Sequence, residues 1–174
     1  DQKTVIEGMM KAIAHRGPDS EGSFCREKIT LGFRRLSIID LEDGQQPMES
    51  ADGNLHIVFN GEIYDYKELR EELEGSGISF RTHSDTEVLV NTIQQYGEKA
   101  LDKLRGMFGF AVWNEKEQTL MLVRDFFGIK PVYYAVIDGH FVFASEIKSI
   151  LAFPGYERKV NQKALEQYLS FQYS

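Results

Sequence analysis

Arg105-Gly106-Met107-Phe108-Gly109-Phe110-Ala111-Val112-Trp113 (residues 105–113) is the stretch on which the fold turns. From Met107 onward the helical periodicity of the middle of the chain gives way to runs rich in β-branched and aromatic residues. Met107–Trp113, Thr119–Arg124, Pro131–Val136 and His140–Ala144 read as strands separated by turn-like gaps. Upstream the pattern is helical in three places. Thr4-Val5-Ile6-Glu7 is a capping box, followed by Ile6, Met9, Met10 and Ile13 at helical spacing, and it predicts a helix ending near His15. Asp65-Tyr66-Lys67-Glu68 predicts a second, with Leu69 and Leu73 on one face and Gly75 as its stop. Ser84-Asp85-Thr86-Glu87 predicts a third, ended by Gly97. Between the first two helices, Gly22–Arg26, Ile29–Ile39 and Leu55–Phe59 read as strands. Strands, helices in the middle, then strands again describe an α+β protein with sheets packed between helices.

Composition sets the bounds. The chain has 174 residues, 42% hydrophobic and 27% charged, which is globular and enough for a core without covalent staples. A formal net charge of -7 argues against a nucleic-acid coat, which needs a positive surface. The longest apolar run, around Met107–Trp113, is far short of the ~18 residues of a membrane span. A soluble cytoplasmic domain is the expectation, with no nucleic acid or membrane as partner. Cys25 is the single cysteine, so no internal disulfide or multi-cysteine metal site can form. Cys25 reads as a structural strand residue. The four histidines are scattered, and no zinc spacing is present. Phosphate loops, dinucleotide fingerprints and serine elbows are absent.

Three polar clusters stand out. Arg35 sits beside apolar residues in Arg35-Leu36-Ser37-Ile38-Ile39-Asp40, and a guanidinium suits bidentate capture of a carboxylate. Asn60-Gly61-Glu62 ends a strand. Locally it is the strongest short signal for a hairpin turn, yet an amide and a glycine N–H together are also oxyanion donors. Ser84-Asp85 caps a helix, and Asp85 could equally hold an ammonium.

Taken in order with Arg16-Gly17-Pro18-Asp19, Asn60–Tyr64, Ser84–Glu87, Arg105–Ala111, Arg124-Asp125 with Gly128–Pro131, and Ala144–Lys148, these clusters resemble the glutaminase domain of glutamine-hydrolysing asparagine synthetases. That domain is a class II glutamine amidotransferase. The resemblance implies the N-terminal-nucleophile fold, a four-layer αββα sandwich of two antiparallel sheets between helices. It implies hydrolysis of L-glutamine to glutamate and ammonia. It would give Arg35 the α-carboxylate of glutamine, Glu62 and Asp85 the α-ammonium, and Leu36 and Ile38 a part of the pocket lining. Asn60 and Gly61 would form the oxyanion hole, and Arg16 would support the nucleophile's surroundings from behind.

The family's nucleophile is a cysteine at the first position of the mature chain, whose own α-amine serves as base. Neither that cysteine nor the strand that follows it is among residues 1–174, and Cys25 has no free α-amine. The chain as given is therefore expected to lack one strand and to bind glutamine weakly without hydrolysing it. Its start at Asp1 and its stop at Ser174 within a helical pattern suggest a fragment. Residues 1–155 are assigned to the glutaminase domain, and 156–174 to a linker and the start of a synthetase domain. No cofactor or metal is expected in this domain; Mg-ATP is implied for the synthetase domain, which is the expected partner within the same chain. An open sheet edge also leaves room for a homodimer. Two other readings stay open: an amidotransferase serving another acceptor, and a non-catalytic glutamine-binding module.

Overall fold

The computed structural model describes residues 1–18, 20–35 and 44–172. Leu36 and Ile38 lie outside the described residues. The elements run α1 (Gln2–Ala12), a 3-10 turn (Ala14–Arg16), β1 (Ser20–Cys25), β2 (Thr30–Arg35), β3 (Met48–Glu49), β4 (Leu55–Ile63), α2 (Tyr66–Gly75) and α3 (Asp85–Tyr96). A second 3-10 segment (Gly97–Asp102) leads to β5 (Gly106–Asn114), β6 (Thr119–Arg124), β7 (Tyr133–Ile137), β8 (His140–Ala144), α4 (Ile147–Leu151) and α5 (Gln162–Phe171).

β3, β4, β5 and β6 form one antiparallel sheet in that order. Its two long strands pair over nine residues, from Leu55↔Asn114 to Ile63↔Gly106. Alternation along β5 sends Phe108, Phe110 and Val112 to the helical side, where they join Ile57, Phe59 and Ile63 of β4 and Leu73, Leu89 and Ile93 of α2 and α3. Burying such side chains stabilises by about 1.5–3 kcal/mol each, so this half carries most of the core. Gly109, Ala111 and Trp113 face the other way, into a cavity.

Across that cavity lie two hairpins, β1–β2 and β7–β8, both antiparallel. α1 and α4 cover them from outside through Met9, Ile137, Val142 and Ile150. Gly32 of β2 lets α1 lie close, since a Cβ there would be 2.7 Å from Ile6 Cγ1. The layers are thus helices, the four-stranded sheet, the two separate hairpins and helices, in the αββα order the resemblance implies. β2 and β8 line the cavity whereas β1 and β7 do not, so each hairpin turns toward the same space an edge that is unpaired among the described residues.

Three local expectations are corrected. α1 is capped by Asp1, whose Oδ1 accepts from Lys3 N–H at 3.1 Å, and the Thr4 box is not used. Asp65 leaves its own helix uncapped because its carboxylate accepts from Arg105 N–H at 2.9 Å, across the start of β5. Asn60-Gly61 is no hairpin turn: both residues lie inside β4, paired with Gly109 and Phe108. Ser84 does cap α3, accepting from Glu87 N–H at 3.2 Å. α5 buries no residue. Among the described residues, no helix is long and apolar enough to cross a membrane.

Candidate functional site

Arg16, Arg35, Asn60, Gly61, Glu62 and Asp85 all line one cavity of about 1850 Å³. A small-molecule site needs roughly 300–1,000 Å³, so the cavity is more than such a site. One part is an apolar cleft between the sheets, lined by Ala111, Leu120, Leu122, Phe141 and Phe143. The other is a polar corner where β2, β4 and the start of α3 meet.

β4 builds that corner through its parity. Val58, Asn60 and Glu62 point into the cavity, while Phe59 and Ile63 point to the helices. The N–H groups of Phe59, Gly61 and Ile63 all point to the edge away from β5, as antiparallel alternation requires. The outer two are satisfied by side chains. Phe59 N–H donates to Gln46 Oε1 at 2.6 Å, and Ile63 N–H donates to Asp85 Oδ2 at 3.0 Å. Gly61 N–H lies between them on the same edge, with the Asn60 amide beside it on the cavity face. This pair of donors is what an oxyanion hole requires.

Asp85 opens α3, where the helix N-terminus favours a negative charge. Burial pushes its carboxyl above the ordinary range, the Ile63 N–H pulls it down, and the neighbouring Glu62 pushes it up again. Two carboxylates facing one space, one of them destabilised as an anion, make a site that gains from a cation. Glu62 is exposed and Asp85 half-buried. Arg35 supplies the opposite charge. A Cβ on Gly44 would lie 3.5 Å from Nη2 of its guanidinium and 3.7 Å from the Cβ of Ser84, so Gly44 sits between Arg35 and the residue preceding Asp85. Arg16 is exposed and pairs with Glu146 at 3.3 Å, which joins the end of α1 to the start of α4.

Two supporting residues were not singled out from sequence. Glu87 is 2% exposed and holds the loop before α3 by accepting from Arg81 N–H (2.9 Å), Thr82 N–H (2.7 Å) and Thr82 Oγ1 (2.7 Å). Burial works against its charge, but these donors prevail and hold it below the ordinary range. Asp125 accepts from Phe108, Ile129 and Lys130 N–H, fixing the loop after β6 against the β5 residue opposite Gly61. An Asp followed three residues later by Gly was the available turn signal; nothing marked Glu87 except its place in a capping box.

Glu87→Gln is expected to cost about 2 kcal/mol, because a buried amide N–H would then face a backbone N–H donor. The melting temperature at pH 7 should fall by about 4–8 °C. Glu87 carries a lowered value in the fold, so its contribution is complete above its ordinary value of 4.5 and is lost as pH falls through the folded value. The deficit of the variant should therefore shrink in strong acid, which thermal melts at a series of pH values would show.

Cys25 is free, ends β1 opposite Thr30, and does not line the cavity. Its place fits the structural reading.

The chain is 51% identical to asparagine synthetase [glutamine-hydrolyzing] 1 of Bacillus subtilis over 99% of its own length and 27% of that protein. It is 42% identical to amidase chyE of Penicillium rubens over 85% of its length and 22% of that protein. It thus spans about a quarter of the curated relatives it matches. Among solved structures, the glutamine phosphoribosylpyrophosphate amidotransferase of B. subtilis superposes with a TM-score of 0.72 over 86% of this chain and 40% of that one, at 21% identity. That likeness shows the fold. The family described as "Glutamine amidotransferase domain" matches residues 1–174, and with the fold and the relatives in agreement the chain belongs to that family.

Proposed function

We propose that this chain is the glutamine-hydrolysing part of an asparagine-synthetase-type enzyme, and that L-glutamine occupies the polar corner. Arg35 takes the α-carboxylate, and Asp85 with Glu62 takes the α-ammonium. The side chain then runs along the edge of β4, which brings its amide carbonyl oxygen to Asn60 and the Gly61 N–H. A thiolate adding to the amide carbon would push its charge onto that oxygen, where two preorganised donors meet it. Collapse of the adduct breaks the C–N bond, the nitrogen leaves as ammonia after taking a proton, and water hydrolyses the remaining thioester to glutamate. Arg16, tied to Glu146, steadies the wall beside the nucleophile. The observation that carries this reading is the placement of Gly61 N–H between two edge N–H groups already bonded by Gln46 and Asp85.

The nucleophile in this proposal is a cysteine with a free α-amine, carried on a strand ahead of Asp1 that pairs along the open edges of β2 and β8. Residues 156–174 lead toward a synthetase domain in which Mg-ATP would activate aspartate. The 51% relative supports aspartate as acceptor. The amidase relative, at 42% identity, keeps in view the reading in which the domain serves something other than aspartate.

Residues 1–174 alone are expected to release no glutamate from L-glutamine, and the same chain behind a cysteine-led strand is expected to release it. Cys25→Ala should leave the extended protein's rate unchanged. Hydrolysis by residues 1–174, abolished by Cys25→Ala, would contradict the assignment of the nucleophile.

A further inference from the structure

We infer that Gln46 is a positioning residue that sets the spacing between the oxyanion donors and the ammonium site; the inference deepens the glutamine reading above and rests on it. β3 pairs with β4 only at Met48↔Ile57 and Glu49↔His56. Beyond Ile57, among the described residues, no strand lies beside that edge of β4, and the N–H of Phe59, a buried residue, needs an acceptor. Gln46 supplies one from its side chain, at 2.6 Å, in the place where a longer β3 would have offered a carbonyl. The other end of the same amide donates to Thr86 Oγ1 at 3.3 Å. One planar, buried group thereby joins the residue before Asn60 to the residue after Asp85.

The amide is itself held. A Cβ on Gly22 of β1 would overlap the Gln46 carbonyl oxygen, so the opposite layer packs directly on this backbone. Gln46 cannot drift without displacing β1. The second tie between β4 and α3, Asp85 to Ile63 N–H, lies on the far side of Gly61. Two clamps of fixed length therefore bracket the glycine, and a ligand bonded at both ends senses their spacing. A ligand bonded only at its α-amino-acid end does not.

The test uses two ligands and two variants of the chain, followed by heteronuclear NMR titration. Gln46→Met keeps the volume and removes both bonds. Gln46→Glu keeps both, since a carboxylate accepts from Phe59 N–H and from the Thr86 hydroxyl. L-Glutamine spans the whole site, whereas L-norvaline lacks the amide and uses only Arg35, Glu62 and Asp85. Gln46→Met should weaken glutamine at least about fivefold, leave norvaline unchanged, and shift the Gly61 and Thr86 amide resonances; Gln46→Glu should restore glutamine to within about twofold. Equal weakening of both ligands, unaltered glutamine binding in Gln46→Met, or failure of Gln46→Glu to restore it would overturn the inference. If the unmutated chain binds neither ligand, the glutamine reading fails on its own. The resonances then decide for Gln46, with unmoved Gly61 and Thr86 signals counting against it and displaced ones for it.

Discussion

Gly61→Ala is expected to lower the melting temperature by about 6–12 °C and to abolish glutamine binding. A Cβ at this position would overlap the carbonyl oxygen of Met107 and lie 2.7 Å from the Cα of Phe108. Both obstacles are backbone atoms of β5. They cannot yield, because Asp125 N–H donates to Phe108 O at 2.8 Å and the Asp125 carboxylate accepts from Phe108 N–H. Overpacking of this kind costs about 3 kcal/mol, and a chain of this size loses about 2–4 °C per kcal/mol. The strand can relieve the overlap only by moving its edge, which carries the Gly61 N–H away from Asn60. Gly8→Ala is the control: nothing lies within 4 Å of its Cβ position on α1, so it should stabilise slightly. Circular dichroism melts of both variants check this, and a Gly61→Ala protein melting within about 2 °C of the unmutated chain would contradict the packing account.

Asp85→Asn is expected to stabilise the empty protein at neutral pH while weakening glutamine by about 10–100-fold. The stability effect follows from the raised carboxyl. A group raised in the fold stabilises fully below its ordinary value, here 3.8, and that contribution is lost as pH rises through the folded value. Above that window the ionised carboxylate is a burden, which asparagine removes while its carbonyl still accepts from Ile63 N–H. The binding effect follows from losing a charge-assisted contact to the ammonium, about 1.5–3 kcal/mol. In the unmutated chain the bound ammonium favours the ionised carboxylate, so glutamine affinity should fall as pH drops into the same window. Melts and titrations at several pH values test both signs at once. A variant that is less stable at pH 7, or that binds glutamine unchanged, would remove Asp85 from the site.

The legible parts of this fold were those carried by local pattern. Ser84 caps α3 because the cap is made within four residues, and the β-branched and aromatic run His140–Ala144 matches the limits of β8. The corrections share one cause. Thr4 and Asp65 have good local capping chemistry, but Asp1 lies one turn earlier for the first, and Arg105 competes for the second from a distant strand. Asn60-Gly61 carries turn chemistry, yet the partner that keeps it extended is Phe108-Gly109, invisible to a short window. The candidate site was legible through the ordered motifs, and the cavity collects Arg16, Arg35, Asn60, Gly61, Glu62 and Asp85. Gln46 and Glu87 were not, because a buried amide or carboxylate is recognised only by the donors it satisfies, which come from β4 for Gln46 and from the loop that folds back before α3 for Glu87.

The most direct test is titration of L-glutamine into isotopically labelled residues 1–174, with amide resonances followed one by one. The account expects saturable binding in the millimolar range, with the largest shifts at Asn60, Gly61 and Asp85, and no comparable response to D-glutamine. No saturation, or shifts confined to another face of the protein, would contradict it.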